Sequence, residues 1–320
     1  MTLIQKINPI NKEAEKKKFF FDPNYNPQFI YPEPITKEEL LHYGPIEDTY
    51  LAKAEHILNT VLKKYGTETK YLEETGGKTL TRPEVEKQIQ DYLVKNGLEK
   101  LVQVHFSSNI ISRTLVDKHD LYLRLPINYR ENAFVGVLDH EIGTHIIRRI
   151  NDERQPWLHN REKYNLGDYV ETEEGMASLH ANLHLEKPYM WFSALYYYAT
   201  YKSKQLTFSE LFFDLKKYSD DRERRWKICL RAKRGISDTS VPNALAKDQV
   251  YLRGMIHMLE WLEKNNYDPR PLYVGKLAVE DIDKIKDQSR HDILLPQFLQ
   301  EDALKEYKSL VIGIKKQNSL

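Results

Sequence analysis

The sequence contains a single cysteine, Cys229, among its 320 residues. An internal disulfide is therefore excluded, and a metal ion would have to be held by nitrogen and oxygen ligands. No apolar run approaches the roughly 20 residues that a membrane-spanning helix needs. Residues 1–18 also have none of the apolar core that a signal peptide carries. These absences predict a cytoplasmic protein without a membrane partner.

The sequence also has almost no net charge, since 48 basic residues oppose 47 acidic ones. Nothing in this balance favours nucleic acid as a partner. With 41% hydrophobic and 30% charged residues, the composition is that of a globular protein. The charge is nevertheless uneven, because residues 216–234 contain nine basic and three acidic residues. This stretch is either a solvated helix face or a surface that attracts an acidic peptide to a neighbouring site.

The strongest motif is His-Glu-Ile-Gly-Thr-His at residues 140–145, inside an apolar run that indicates a buried helix. Two histidines and a glutamate are typical of a zinc site with a general base. A regular helix would place residues five positions apart at about 140° to each other. A π-bulge would return both rings to one side, and Gly143 lies where such a distortion costs least. We therefore predict His140 and His145 as zinc ligands and Glu141 as the base; the alternative is a core helix that carries these residues by chance.

A third protein ligand is predicted downstream. Thr172 is a plausible N-cap, and Glu173 and Glu174 follow in the first helical turn, where carboxylates are favoured. The small residues of the following Gly-x-Ala predict that this helix lies close to the ligand helix. We expect Glu174 to be the ligand and Glu173 a supporting residue. Alternatively, both acids merely suit a helix N-terminus, or His180 and His184, four residues apart, supply ligands instead.

These motifs resemble those of the microtubule-associated tyrosine carboxypeptidases and their bacterial relatives. That family is marked by His-Glu-x-x-x-His and by a downstream Glu-Glu-Gly-Leu-Ala or Gln-Glu-Gly-Leu-Ala. Other matching stretches occur in the same order, at residues 154–157, 231–235, 237–240 and 247–252. The resemblance spans residues from about 40 to about 310. It departs from the family pattern in Met176, where Leu is usual, and in lacking the long N-terminal extension of animal members.

The resemblance implies a zinc carboxypeptidase that removes a C-terminal tyrosine from the acidic α-tubulin tail. It assigns one zinc ion to His140, His145 and Glu174, with Glu141 as general base. Such an enzyme must also bind the free carboxylate of its substrate, to which the guanidinium fork of Arg is suited. The candidates for that contact are Arg222, Arg224, Lys233, Arg234 and Arg253, of which Arg234 is preferred. Tyr251 is either a donor to the oxyanion or a buried core tyrosine.

Two other classes of function are compatible with these residues. One is a zinc endopeptidase or aminopeptidase that has the same metal centre and acts on a peptide other than tubulin. The other is a module without activity that binds an acidic tail. The presence of Glu141 beside all three ligand types argues against the module.

The predicted fold is α+β and mainly helical, a zincin-like metallopeptidase domain with a small β-sheet before the metal-binding helix. Alternating residues predict strands at 101–106 and 121–125, and 110–116 is a possible third. We expect residues 121–125 to form the sheet edge that pairs with an extended substrate, although they could equally be a core strand. Residues 1–35, which contain several prolines, are predicted as a weakly ordered arm, and residues 36–320 as a single catalytic domain.

Overall fold

A computed structural model describes residues 6–110 and 112–320. The described chain divides into two compact units, the first formed by residues 6–74 and 190–252 and the second by residues 75–189 and 253–320. The whole His-Glu-x-x-x-His motif and the downstream glutamates belong to the second unit. The arm predicted for residues 1–35 and the single domain predicted for residues 36–320 stay predictions, and residues 1–5 of the arm lie outside the described residues.

The secondary structure is mainly helical, which confirms the predicted fold class. In chain order the α-helices are α1 (Lys12–Phe21), α2 (Lys37–Leu40), α3 (Leu51–Tyr65), α4 (Glu68–Gly76), α5 (Arg82–Lys95), α6 (Glu131–Leu138), α7 (Ile147–Asp152), α8 (Val170–His180), α9 (Trp191–Ser203), α10 (Phe208–Asp214), α11 (Arg222–Ala232), α12 (Gln249–Lys264), α13 (Ile282–Ile285) and α14 (Leu304–Gln317). A π-helix, Asp139–Ile146, joins α6 to α7, and the strands are β1 (Gln103–Ser107), β2 (Thr114–Asp117) and β3 (Asp120–Arg124). Short 3₁₀ turns occupy Arg161–Tyr164, Leu215–Lys217, Ala246–Asp248, Arg270–Val274, Val279–Asp281 and Gln297–Leu299. Among the described residues, no helix combines the length and apolar character required to cross a bilayer.

The first unit is built around the packing of α3 against the aromatic helix α9. Apolar residues at helical spacing on α3 are buried, and the Trp191 and Tyr198 rings of α9 are fully buried as well. Phe19 of α1 is also fully buried, with its ring centroid 4.8 Å from that of Phe212 and 5.3 Å from that of Trp226. Aromatic contact of this kind, rather than a ligand pocket, accounts for most of the aromatic residues here.

The sheet of the second unit has the order β1–β3–β2. Strand β3 pairs in parallel with β1 and antiparallel with β2, so it is the central strand. The prediction that residues 121–125 form the sheet edge is therefore wrong, and the alternative of a core strand is correct. Leu121 and Leu123 of β3 are fully buried. The third strand exists but begins at Thr114, and Ile111 of its predicted range lies outside the described residues.

The turn that carries the two predicted histidine ligands is widened, as predicted. Residues Asp139–Ile146 form the π-helix, so the rings of His140 and His145 lie on one side of it. Gly143 has a role that differs from the one expected, because its neighbours leave no room for a side chain. A Cβ at Gly143 would lie 2.6 Å from Oη of Tyr92 and 2.9 Å from Cε1 of Phe298. Space around the helix, rather than flexibility within it, requires glycine here.

Two other glycines let helices of the second unit approach each other closely. A Cβ at Gly136 of α6 would lie 2.2 Å from the carbonyl oxygen of Ala181, which follows α8. A Cβ at Gly175 of α8 would lie 2.2 Å from the carbonyl carbon of Gly254 on α12. Helix α8 packs closely against the π-helix, as predicted from its small residues, but Gly175 is not the residue that allows it. Gly175 faces α12, and Gly136 makes the close approach between the ligand helix and the α8 segment.

We expect Gly175→Ala to destabilise the protein by at least about 1–3 kcal/mol, because the new methyl group meets backbone atoms that cannot rotate away. Chemical denaturation of the metal-free protein measures this effect. Gly313→Ala is the matched control, since a Cβ at this position of α14 meets nothing within 4 Å. Removing glycine from that helix should stabilise the protein by roughly 0.5–1 kcal/mol. Equal effects of the two substitutions would contradict the close packing of α8 on α12.

Candidate metal centre

Three side-chain atoms of the second unit converge at the open side of the π-helix. Nε2 of His140 lies 3.2 Å from Nε2 of His145, and Oε2 of Glu174 lies 4.0 Å and 3.8 Å from these two nitrogens. A triangle with these sides has a circumscribed radius of about 2.1 Å, which matches the distance of zinc from imidazole nitrogen and carboxylate oxygen. The three predicted ligands thus lie close enough together to share one metal ion.

The carboxylate of Glu141 borders the same three atoms. One of its oxygens and a nitrogen of each histidine all lie within 4.8 Å of one another. Glu141 could therefore compete with Glu174 as the third ligand. The shorter approach of Glu174 to both imidazoles favours Glu174 as the ligand. Glu141 then stays available for the role of base that was predicted for it.

The ring of His145 is oriented by Glu173. Nδ1 of His145 lies 2.8 Å from Oε1 of Glu173, and because an ionised carboxylate only accepts, Nδ1 carries the ring proton. The lone pair of the ring is then on Nε2, the nitrogen that belongs to the triangle. Burial lowers the pKa of His145, but the hydrogen bond and charge of Glu173 raise it above its usual value.

Glu173 is itself held by two cations. Its side chain is buried and accepts from Nη1 of Arg148 and from Nζ of Lys276. Burial raises the pKa of the Glu173 carboxyl, but the charges of Arg148 and Lys276 lower it well below its usual value. Arg148 is fully buried and also donates to the carbonyl groups of Leu272 and Leu277, at 3.0 and 2.9 Å. Glu173 therefore occupies the supporting position predicted for it.

Arg148 and Lys276 were not among the residues predicted from the sequence. A signal for Arg148 was available, because a basic residue within the apolar run 146–150 must be buried with a partner. Lys276 lies in a loop about a hundred residues beyond Glu173 along the chain, where no local pattern indicated it.

His140 is neutral at physiological pH. Burial is the main cause that lowers its pKa to about 4, and a hydrogen bond with the backbone of Ala177 opposes that shift. A neutral imidazole retains a nitrogen lone pair, as a metal ligand must. The contact with Ala177 also ties the ring to α8, the helix that carries Glu174.

A chain of buried hydrogen bonds supports the π-helix on the side of Thr144. The hydroxyl group of Thr144 donates to the carbonyl oxygen of Asp139 at 2.8 Å, so it accepts from Nδ1 of His180 at 2.8 Å. Nε2 of His180 then accepts from the hydroxyl group of Tyr307 at 3.1 Å. Burial lowers the pKa of His180 to about 3, which keeps the ring neutral with one donor and one acceptor.

The alternative ligands His180 and His184 have other partners. Both ring nitrogens of His180 are used in the chain that begins at Thr144. Nε2 of His184 lies 3.1 Å from Oδ2 of Asp139. The geometry therefore favours the triangle of His140, His145 and Glu174 over this pair.

We expect Thr144→Val to destabilise the metal-free protein by about 1–3 kcal/mol, because Nδ1–H of His180 would lose its buried acceptor. Thr144→Ser, which keeps the hydroxyl group, should restore most of that loss. Denaturant titration measures both. Thr200→Val is a matched control, since the hydroxyl group of Thr200 is buried without a hydrogen-bond partner among the described residues. A loss at Thr200 as large as that at Thr144 would show that the chain does not stabilise the π-helix.

Comparison with known proteins identifies the family. The family model for microtubule-associated tyrosine carboxypeptidase matches residues 35–317. The chain is 36% identical over 325 residues to microtubule-associated tyrosine carboxypeptidase 1 of Homo sapiens, covering 98% of this chain and 68% of that protein. The chain belongs to the microtubule-associated tyrosine carboxypeptidase family. It is also 37% identical over 308 residues to MATCAP2 of Mus musculus, covering 94% of this chain. The matched part is 59% of the length of that mouse protein.

The five basic residues predicted to bind the substrate of this member of the microtubule-associated tyrosine carboxypeptidase family differ in their contacts. Four of them lie in the first unit, and three of these four form hydrogen bonds with other residues of that unit. Nζ of Lys233 is buried and lies within hydrogen-bond distance of four backbone carbonyl groups, one more than its three N–H groups, those of Ser203, Leu206, Val241 and Asn243. No donor of Lys233 is left for a ligand, so the structure does not favour it. Arg224 donates to the buried carboxylate of Glu68, and Arg222 donates to the carbonyl oxygen of Phe20.

The remaining candidates differ in their surroundings. Arg253, in the second unit, donates from Nε to Glu171, which also lies 2.6 Å from Nδ1 of His257. Arg234, in the first unit, has no side-chain hydrogen bond or ion pair with any residue in the described part of the chain. Tyr251, also in the first unit, is half-buried, with the Arg231 guanidinium 5.3 Å from its ring centre. Its role at the oxyanion stays a prediction.

Proposed function

We propose that this chain is a zinc-dependent carboxypeptidase that removes a C-terminal tyrosine, or a similar aromatic residue, from an acidic protein tail such as that of α-tubulin. The observation that carries the proposal is the triangle of His140, His145 and Glu174 with Glu141 at its border. The names of the relatives support the reaction class, since they describe tyrosine carboxypeptidases. The predicted partner is thus an acidic peptide in the cytoplasm, and neither nucleic acid nor a membrane is required.

The donor set fits zinc. Two neutral imidazole nitrogens and one carboxylate oxygen are the ligands of many catalytic zinc sites, which leave a further position open. When bound here, zinc would polarise the scissile carbonyl group and lower the pKa of a bound water. Glu141 accepts a proton from the attacking water on its carboxylate and passes it to the nitrogen of the leaving tyrosine. Glu173, held by Arg148 and Lys276, keeps Nε2 of His145 aimed at the metal position.

Strand β2 lies at an edge of the sheet. It could pair with an extended substrate in the way that was predicted for residues 121–125. The N–H group of Arg124 donates to the carbonyl oxygen of Arg113 at 3.0 Å. Because an antiparallel ladder alternates, Thr114 and Val116 then direct their backbone groups away from β3. The hydroxyl group of Tyr129 lies 3.2 Å from Oγ1 of Thr114, and strand β2 contacts the π-helix that carries Glu141. A peptide paired with β2 would therefore pass close to Glu141.

Arg234 stays our candidate for the residue that binds the substrate carboxylate. Among the five predicted residues its guanidinium is the one not already paired within its unit. Burial lowers the pKa of Arg234. The usual pKa of arginine lies so far above neutrality that the guanidinium stays charged. We expect Arg234→Ala to raise KM for a free-acid peptide while leaving cleavage chemistry intact at saturating substrate.

The proposal is tested by mass spectrometry of a synthetic peptide ending in Glu-Gly-Glu-Glu-Tyr, incubated with the zinc-loaded protein. An amidated copy of the peptide and the Glu141→Gln variant are the controls. We expect loss of one tyrosine from the free acid only. Cleavage of the amidated peptide at an internal bond would indicate an endopeptidase. Stoichiometric binding of the peptide without cleavage would indicate a module that only binds acidic tails.

A further inference from the structure

Arg113 immediately precedes β2, the edge strand that could pair with a substrate. Its side chain is exposed, and its guanidinium carbon lies 4.8 Å from the ring centre of Tyr129, which is fully buried. The carbonyl oxygen of Arg113 accepts from the hydroxyl group of Tyr129 at 2.9 Å and from the N–H group of Arg124 at 3.0 Å. Both the backbone and the side chain of Arg113 are therefore held against one buried tyrosine.

The guanidinium group of Arg113 has no hydrogen bond or ion pair with any residue that the structure describes. Its contact with the ring face of Tyr129 stabilises the positive charge but does not occupy the N–H donors. A guanidinium group can donate two parallel hydrogen bonds to one carboxylate. Arg113 therefore offers an oriented set of donors for an anionic group.

The start of β2 is the end of the strand that lies near Glu141. Strand β2 contacts the π-helix, and Oγ1 of Thr114 lies 3.2 Å from the hydroxyl group of Tyr129. Burial is the largest cause that raises the pKa of Tyr129, the charge of Glu141 raises it further, and the charge of Arg113 lowers it. Charges have such effects at short range, so Glu141 and Arg113 both lie near this hydroxyl group.

This position of Glu141 determines the direction in which a substrate can pair with β2. A carboxypeptidase cleaves the last peptide bond, so only one residue follows the bond that lies next to Glu141. Thr114 and Val116 direct their backbone groups to the open edge, and upstream residues reach both only if the peptide runs antiparallel to β2. In the parallel direction the upstream residues would lie along residues 108–110 and 112–113, which form no strand. The last residue of an antiparallel peptide lies beside Arg113.

We infer that Arg113 binds the terminal α-carboxylate of a peptide paired antiparallel with β2, which makes it a residue that determines specificity for a free C-terminus. The inference rests on the function proposed above. It adds to the contact proposed for Arg234, since a carboxylate has two oxygens and accepts from more than one donor. Arg113 belongs to the same unit as His140, His145 and Glu174.

The inference is tested by calorimetric titration of two peptides ending in Glu-Gly-Glu-Glu-Tyr, one a free acid and one amidated, into the metal-free full chain. We expect the free acid to bind more tightly than the amide. Arg113→Gln should lower the affinity for the free acid at least about tenfold, because a charge-assisted hydrogen bond is lost. It should leave the affinity for the amide within about threefold, since only a screened long-range attraction changes. An equal loss for the two peptides would overturn the inference, as would failure of the free acid to bind more tightly than the amide.

Arg82→Gln is the matched control. Arg82 is also an exposed arginine on an aromatic ring, with its guanidinium carbon 4.6 Å from the ring centre of Phe106. Phe106 belongs to β1, which lies at the opposite edge of the sheet from β2. Arg82→Gln should therefore leave the affinities for both peptides unchanged. A loss of free-acid affinity in Arg82→Gln equal to that in Arg113→Gln would show a general effect of charge and refute the inference.

Cleavage assays with the zinc-loaded protein separate this inference from the proposed function. Arg113→Gln should raise KM for the free acid at least about tenfold and leave kcat within about threefold, because the contact is made before and during the reaction alike. Tyrosine release with unchanged KM would refute the role of Arg113 and leave the proposed function intact. A protein that cleaves neither peptide, but binds the free acid through Arg113, would refute the peptidase function and leave the role of Arg113 intact.

Discussion

Replacement of Glu141 by Gln is expected to lower kcat for a peptide ending in tyrosine by about 10²- to 10⁴-fold. Gln has almost the same shape as Glu but cannot accept the proton of the attacking water. Since Glu141 borders the three predicted ligand atoms without being the one best placed to bind zinc, the metal should remain. Single-turnover cleavage of the synthetic peptide, followed by mass spectrometry, measures the rate of the chemical step.

The essential control for this variant is its zinc content and affinity, measured by competition with a chelator. Affinity within a few fold of that of the unmodified protein would show that Glu141 acts as a base. A large loss of zinc from Glu141→Gln would instead show that Glu141 is the third ligand and that Glu174 is not. Unchanged cleavage would contradict the proposed mechanism altogether.

Glu173→Gln and Glu174→Gln are expected to have different effects, although the two glutamates are adjacent in the chain. The first should mainly lower stability, and the second should mainly weaken zinc binding. Glu173→Gln leaves the charge of the fully buried Arg148 without its compensating carboxylate, which should cost about 3–5 kcal/mol of stability. It should weaken zinc by only about 10- to 100-fold, since His145 loses an orienting partner but remains a ligand. Glu174→Gln should lower the affinity for zinc by more than about 100-fold. It should leave the stability of the metal-free protein nearly unchanged.

Denaturant titration of the metal-free variants, together with chelator competition, separates the two outcomes. A destabilising effect of Glu174→Gln equal to that of Glu173→Gln would show that both carboxylates belong to the buried ion cluster. The reverse pattern, with zinc lost only from Glu173→Gln, would exchange the roles assigned to them.

We expect acid to destabilise the metal-free protein partly by protonating the carboxylate of Glu173. The pKa of Glu173 is lowered in the folded protein, mainly by Arg148 and Lys276 acting against burial, so its ionised form stabilises the fold. That contribution is complete above the usual pKa of 4.5 and is lost as the pH falls below it through the folded value. We expect the metal-free protein to lose stability below about pH 4.5 more steeply than Glu173→Gln does. Parallel curves for the two proteins would assign the acid sensitivity to other carboxylates.

Local features of the chain were predictable from the sequence. The five-residue spacing of His140 and His145 required a widened turn, because a regular helix separates such residues too far to share an ion. The structure has this widened turn at Asp139–Ile146. Short-range geometry of this kind is determined by residues that are neighbours in the chain.

Errors arose where the answer depended on residues distant in sequence. The alternation of residues 121–125 identified a strand, but its central position depends on pairing with β1 and β2, which the pattern does not encode. In the same way, no pattern in the sequence indicated which of the basic residues near position 230 have partners inside the protein. The structure shows that Lys233 and Arg224 are used internally while Arg234 is not.

The family and the mainly helical α+β class could be inferred from the sequence alone, and the predicted metal ligands His140, His145 and Glu174 could be chosen from it. Each of these follows from motifs of a few residues and from helical spacing. The central strand, the helix that each glycine faces and the cations that hold Glu173 became known only from the folded chain. Those outcomes depend on side chains that meet across long stretches of chain, where packing and the burial of charge select one arrangement from many.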